Sequence, residues 1–260
     1  MNRREDSTAY LRTLTARKAE KPDLDSGRQQ DADEFLRVLL DVLENELVGF
    51  ENFNRIKRRY KGREVERKKF IESPTGKCKD CNNFPSANEQ DFLALKLIVP
   101  NCSSQVDINI LLNQYFIEYG SEVRMKCSTC CKCYPKCKQE GSCNRPAVSQ
   151  RSLMHAPNFL FIQLCRFGST NQRLKVNTFI RTTFELKLQE STYYQLLGTL
   201  DHRGKTMTSG HYVTKVLSEE GQWLLCNDLT VTPIPFEKRC LTETILKTIE
   251  GSMWWCLNPL

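Results

Sequence analysis

Apolar residues recur at helical spacing in one segment above all others. Ala32, Phe35, Leu36, Leu39, Leu43 and Leu47 fall three or four apart, which lines one face of an α-helix. Ser26-Gly-Arg-Gln29 precedes them as a capping box and Gly49 follows as a stop. The spacing predicts a helix over 30–48. A shorter apolar face, Tyr10, Leu11 and Leu14, predicts a helix over 5–18, ended before the break at Lys21-Pro22.

Further on the period changes. Phe92, Leu93, Leu95, Leu97 and Ile98 suggest a strand, and 106–117 a short helix with Leu111, Leu112, Tyr115 and Phe116 apolar. Residues 131–151, rich in Cys, Lys, Pro and Gly, read as an exposed loop. Residues 151–260 read as sheet: 159–167, 193–200, 211–217 and 222–226 are short, rich in β-formers and bounded by turn residues. Helices first and strands later predict an α+β fold.

Composition narrows the class. Hydrophobic residues make up 40% and charged residues 27%, which argues against collagen, coiled coil or wholesale disorder. No apolar run reaches the roughly eighteen residues of a membrane span, and the charged first residues do not read as a signal peptide. The expected location is therefore cytoplasmic, nuclear or both. The net charge of +7 suits an anionic partner without identifying one.

Thirteen cysteines in such a compartment point to metal or catalysis before disulfides. Cys78-x2-Cys81 and Cys127-x2-Cys130, 45 residues apart, can each set two thiolates on a tight turn. Together they fit a closed, structural zinc site. Cys131, Cys133 and Cys137 crowd the second pair, and Cys133 is an alternative ligand.

Three histidines are present. His155, ahead of Ala156-Pro157, reads as a loop residue. His211, in Ser209-Gly-His-Tyr212, heads a predicted strand, and Cys226-Asn227-Asp228 ends the next one. A histidine and an Asn or Asp meeting at neighbouring strand ends form the base and orienter of a cysteine-protease triad. Ordinary polar residues at strand ends are the plainer alternative.

Read in order, Gln29-Gln-Asp-Ala-Asp-Glu-Phe-Leu36, the two Cys-x-x-Cys pairs, Leu160-Phe-Ile-Gln-Leu-Cys-Arg-Phe167, Gly210-His-Tyr212 and Asn227-Asp-Leu-Thr-Val231 resemble the ubiquitin-specific proteases, papain-like cysteine deubiquitinases, over about residues 10–235. The resemblance implies a fingers-palm-thumb domain with structural zinc: a helical thumb remnant over 1–50, zinc-bearing fingers over 51–150 and a β-rich palm over 151–260. It implies His211 as general base, Asn227 as its orienter and Asp228 as the neighbour some members use instead. Gln30, Asp31, Glu34, Gly210 and Tyr212 would meet the ubiquitin tail, where carboxylates suit arginine. Acidic residues in a first helical turn also complement the macrodipole without any ligand. Asp33 departs from the histidine that the family often has there.

A second departure concerns the nucleophile. The family carries it in a Gly-Asn-Thr-Cys-type box ahead of the Gln-Gln-Asp segment, whereas here no cysteine precedes Cys78. Cys165 and Cys226 lie in apolar strands as expected core residues. The resemblance thus implies an N-terminally truncated domain that recognises ubiquitin or a ubiquitinated protein and does not cleave. It is either an incomplete piece or a genuine pseudoenzyme, and the open core edge favours the piece. The rival class is a zinc-dependent nucleic-acid or partner-binding module, resting on the basic run 55–69 and the Lys-rich cysteine loop 126–138. Tyr60 stands nearly alone as an aromatic there, so nucleic acid is not expected as the main partner. No membrane partner is expected.

Overall fold

A computed structural model describes residues 19–20, 32–48, 53–71, 73–85, 87–116, 123–127, 144–167, 175–188, 192–206, 209–234 and 257–259. In chain order its elements are α1 (Ala32–Leu47), α2 (Phe53–Tyr60), β1 (Gly62–Phe70), β2 (Asn88–Phe92), β3 (Ala94–Ile98), β4 (Val106–Asp107), α3 (Ile108–Phe116), β5 (Val123–Lys126) and β6 (Asn144–His155). There follow β7 (Phe161–Cys165), β8 (Ile180–Arg181), β9 (Glu185–Leu188), β10 (Thr192–Leu196), β11 (Gly198–Thr206), β12 (Ser209–Leu217), β13 (Trp223–Asn227), β14 (Thr230–Pro233) and β15 (Leu257–Pro259). The mixture is α+β. The chain forms two units, one of residues 1–61, 93–106 and 157–260, the other of 62–92 and 107–156.

In the first unit, α1 begins with Asp33 and Glu34 in its opening turn, where carboxylates complement the helix dipole. Val38 is its buried core residue, with Phe35 and Ala19 packed against it. Leu43, placed by spacing on the apolar face, is 43% exposed. Asp33 is buried and accepts ion pairs from Arg37 Nη2 at 2.9 Å and Lys96 Nζ at 3.3 Å. The carboxylate at this departing position thus ties α1 to β3. Helix α2 ends in Lys57, Arg58 and Arg59, which suit a helix C-terminus. It is clamped to α1 through Glu44, which accepts from Lys61 Nζ at 2.5 Å, Tyr60 Oη at 3.1 Å and Lys57 Nζ at 3.3 Å.

Among the described residues this unit also holds the sheets β11-β12-β13-β14 and β15-β10-β9 and the parallel pair β3-β7. Leu95, Leu97, Ile162 and Leu164 of the parallel pair are fully buried, with Leu160, Ile180, Leu186, Tyr194 and Leu196. Tyr194 donates its hydroxyl to Pro157 O at 2.7 Å. Arg166, at the end of the apolar run, is also buried, and its Nη1 donates to Val176 O and Thr178 O at 2.9 and 2.7 Å. A buried guanidinium is tolerable only with such acceptors.

The second unit is the antiparallel sheet β2-β1-β6-β5, with Val65, Phe70, Phe92 and Ala147 buried alongside Ile108, Leu111 and Leu112 of α3. Glu64, 1% exposed, accepts from Gln90 Nε2 at 2.5 Å and Tyr115 Oη at 2.8 Å. Burial and that carboxylate push the Tyr115 phenol above its ordinary value. The Arg151 guanidinium lies 4.9 Å from the centre of its ring.

Several expectations need correction. Residues 144–151, read as loop, belong to β6, and His155 is the last residue of that strand. Pairing with β1 supplies the backbone partners that composition did not advertise. The basic run divides into α2 and β1. The single strand proposed over 92–98 is two, β2 and β3, in different units, and 193–200 is split between β10 and β11. The helix expected over 5–18, residues 30–31 and residues 131–143 lie outside the described residues.

Candidate active site and metal centre

His211 is the third residue of β12, and Asn227 is the last of β13. These strands pair antiparallel from Thr214↔Cys226 to Leu217↔Trp223. That register brings the start of one to the end of the other. His211 Nε2 lies 2.5 Å from Asn227 Oδ1. A side-chain carbonyl oxygen only accepts, so the contact is a hydrogen bond in the tautomer that places the proton on Nε2, which leaves Nδ1 with its lone pair. Asp228 follows in the two-residue turn to β14, with φ of 47°, a left-handed conformation that Asp tolerates better than most residues. Its Oδ2 is 3.9 Å from Nε2 on a 77% exposed side chain. The geometry therefore makes Asn227 the partner of the imidazole, with Asp228 as a second, longer contact. The His211 side chain is 41% exposed, open enough to meet a substrate.

The strand behind this histidine is unusually polar for a buried one. Lys215 Nζ donates to Asp201 Oδ2 at 2.9 Å, with side chains 4% and 1% exposed. Burial raises the Asp201 carboxyl above its ordinary value, and Lys215 offsets only part of that. Lys175 Nζ, also buried, donates to His202 O at 2.7 Å. His202 pairs with Tyr212 across the strands and is 2% exposed. Its ring lies 4.9 Å from that of Tyr212 and 6.1 Å from that of Phe167.

Gly210 is explained by this packing. A Cβ there would stand 2.3 Å from His202 Nε2 and 2.8 Å from Arg203 O. The sequence reading missed the inward His202 and Lys215. A signal existed in Lys215, which shares a strand face with Val213 by the period of two.

Of the other residues expected at the ubiquitin tail, Tyr212 is half-buried beside His202, and Glu34 is half-buried in the first turn of α1. Gln30 and Asp31 lie outside the described residues.

In the second unit the Cys78-x2-Cys81 pair forms a tight knuckle: Asn82 N donates to Cys78 O at 2.8 Å, and Cys78 N donates to Asn83 O at 2.9 Å. Asn82 takes φ of 56°, which Asn adopts readily. Cys127 follows β5 and completes a group of three thiols within 4.8 Å of one another. The Sγ atoms of Cys81 and Cys127 are 3.6 Å apart. Two thiolates on one tetrahedral zinc stand about 3.8 Å apart at ordinary Zn–S lengths, so the three fit that ion. Cys78 and Cys127 are buried with Phe70 and Ala147, and Cys81 and Met125 pack against them. Cys130 and Cys133 lie outside the described residues.

Cys165 and Cys226 lie in β7 and β13 but are half-buried rather than core residues. Burial pushes the Cys165 thiol up, the wrong direction for a nucleophile. Among the described residues no helix is long and apolar enough to cross a membrane.

Comparison with known proteins gives the family. The chain is 29% identical over 226 residues to ubiquitin carboxyl-terminal hydrolase 25 of Arabidopsis thaliana, covering 79% of this chain and 31% of that protein. It is 28% identical over 237 residues to ubiquitin carboxyl-terminal hydrolase 36 of Drosophila virilis, covering 86% and 18%. The chain thus spans a third or less of these relatives. A chain of the SAGA DUB module of Ubp8, Sgf11, Sus1 and Sgf73 bound to monoubiquitin superposes with a TM-score of 0.72 at 20% identity, covering 97% of this chain and 53% of that one. The same module bound to ubiquitin aldehyde gives 0.69, covering 96% and 54%. The profile of the family described as ubiquitin carboxyl-terminal hydrolase matches residues 4–249, so the chain belongs to that family, among its ubiquitin-specific proteases.

Proposed function

We propose that this chain recognises ubiquitin and carries the base and orienter of a thiol-hydrolase centre without its nucleophile. The observation that supports the reading most directly is the 2.5 Å contact of His211 Nε2 with Asn227 Oδ1. With the proton fixed on Nε2, Nδ1 is left to take the proton of a thiol. In the parent reaction the resulting thiolate attacks the carbonyl carbon of the last glycine of ubiquitin. The imidazolium then protonates the leaving amine, and water hydrolyses the thioester. Asn227 holds the imidazole in that tautomer, and Asp228 adds negative charge beside it.

None of the thirteen cysteines precedes Cys78, and Cys78 is one of the three clustered thiols. Cys165 and Cys226 are held in strands. On this reading the residues given act as a binding domain. Asp31 and Glu34 would pair with arginines of the ubiquitin tail, and Gln30, Gly210 and Tyr212 would line its path. A structural Zn²⁺ would be held by Cys78, Cys81 and Cys127 with Cys130 as the fourth ligand. The three-part layout of thumb, fingers and palm and a cytoplasmic or nuclear location belong to the same reading.

A ubiquitin-based electrophilic probe tests it together with a ubiquitin titration by calorimetry. The expected result is saturable binding, weakened in Asp31→Ala and Glu34→Ala, with no covalent adduct. An adduct at any cysteine, or no binding, overturns the proposal.

A further inference from the structure

The outward face of the β2-β1-β6-β5 sheet carries a regular ladder of cations. Arg67 stands opposite Gln150, Lys69 opposite Val148, Arg124 opposite Pro146 and Lys126 opposite Asn144. These positions on β6 are two residues apart, so all four cations belong to one face, and each of them is exposed. Two residues of strand advance about 7 Å, and the three steps between the four positions therefore span about 20 Å. The ladder crosses from β1 to β5 as it advances along β6.

The remainder of the face is neutral along this line, with Pro146 and Val148 half-buried and Gln150 exposed. Arg67 Nη1 donates to Ser152 Oγ at 3.0 Å. Among the described strand residues, carboxylates on this face are Glu89 and Asp91, opposite Val65 and Arg63. They mark the other end of β1, where Asp91 is paired with Arg63 at 2.7 Å.

We infer that this ladder docks an extended acidic segment of a partner protein, one with carboxylates on alternate residues. Alternate side chains of an extended chain repeat at the same interval of about 7 Å, so each carboxylate meets one cation. Arginine adds bidentate pairing with carboxylates. The described strand residues of the face include no Phe, Tyr or Trp, and single-stranded nucleic acid binding relies on aromatic stacking. This favours the acidic polypeptide. The inference does not depend on ubiquitin recognition.

Fluorescence anisotropy of the full chain with a labelled peptide of alternating Glu and Ser tests it, with labelled oligothymidylate of equal length as comparison. Saturable peptide binding that weakens as salt rises is expected. Arg67→Glu with Lys69→Glu, and Arg124→Glu with Lys126→Glu, should each weaken it at least about tenfold. Arg124→Gln with Lys126→Gln, which keeps the length of the side chains, should weaken it less. Lys187→Glu, on β9, should leave it unchanged. Circular dichroism confirms that each variant is folded. No peptide binding at low salt, unchanged affinity in folded ladder variants, or tighter binding of the oligothymidylate would overturn the inference.

Discussion

Gly210 and Asp201 show how single residues hold the candidate base in place. Gly210 precedes His211 and leaves room for the buried His202 ring, which a Cβ would approach to 2.3 Å. Backbone closes the other side, with Arg203 O at 2.8 Å, so neither neighbour can move cheaply. Gly210→Ala should therefore destabilise the fold by about 1–3 kcal/mol, the usual cost of overpacking. Gly221→Ala, with nothing near its Cβ but φ of 78°, should cost only about 1 kcal/mol of backbone strain. Denaturant titrations of the two variants give the comparison, and equal losses would refute the steric account. Asp201 provides a pH test. Its carboxyl is raised by burial, so the folded state holds that proton to higher pH than the unfolded chain does. The raised carboxyl contributes stability that is complete below the ordinary carboxylate value and lost as pH rises through its own. Asp201→Asn removes this dependence and, by changing a buried hydrogen-bonding group beside Lys215, costs about 1–3 kcal/mol. The deficit of the variant relative to wild type should shrink as pH rises through that window. Chemical denaturation across the acid range measures it, and a constant deficit would count against a raised Asp201.

At the scale of elements, Glu44 holds α2 to α1. Burial alone would raise its pKa, but Lys61 and Lys57 bring it below the ordinary value. A lowered carboxyl gives stability that is present above its unfolded pKa and is lost as pH falls through the folded one. Glu44→Gln should cost about 1 kcal/mol near neutrality, and its difference from wild type should vanish in acid. Amide exchange in 53–60 should rise, and unchanged protection there would show that the clamp is unimportant. The same elements show what the sequence made legible. α1 was readable because its apolar positions keep the helical period, although the packing of Val38 outweighs that of Leu43. The meeting of His211 and Asn227 was readable because each stands at a strand end. β1 and β6 were obscured because their outward faces carry Arg67, Lys69 and Gln150, and their inward faces hold Glu64 and Ser149 as well as apolar residues. With polar groups on both faces, alternation no longer reports burial, and only pairing reveals the strands. The third thiol was expected from its spacing, but the closeness of Cys127 to Cys81 depends on contacts distant in sequence.

The whole chain divides its stabilisation between two kinds of chemistry. One unit is built on aliphatic packing around Leu95, Leu97, Ile162 and Leu164. The other gathers Phe70, Cys78, Cys127 and Ala147 into a cluster that contains two of the three adjacent thiols. Thiolates brought within 4.8 Å of one another repel unless a cation or protons intervene. If zinc fills that role, its binding free energy is part of the folding free energy of this unit alone. The chain enters and leaves the unit at 61/62, 92/93, 106/107 and 156/157, so its melting loosens but does not sever the other. A chelator should therefore convert one unfolding transition into two. Amide protection should be lost first in β1, β5 and β6, while β11 to β13 keep theirs. Cys81→Ser should reproduce the early transition without chelator and should lower the zinc content measured by elemental analysis. A single transition unmoved by chelator, with no zinc in the purified chain, would leave the three thiols as an ordinary buried cluster.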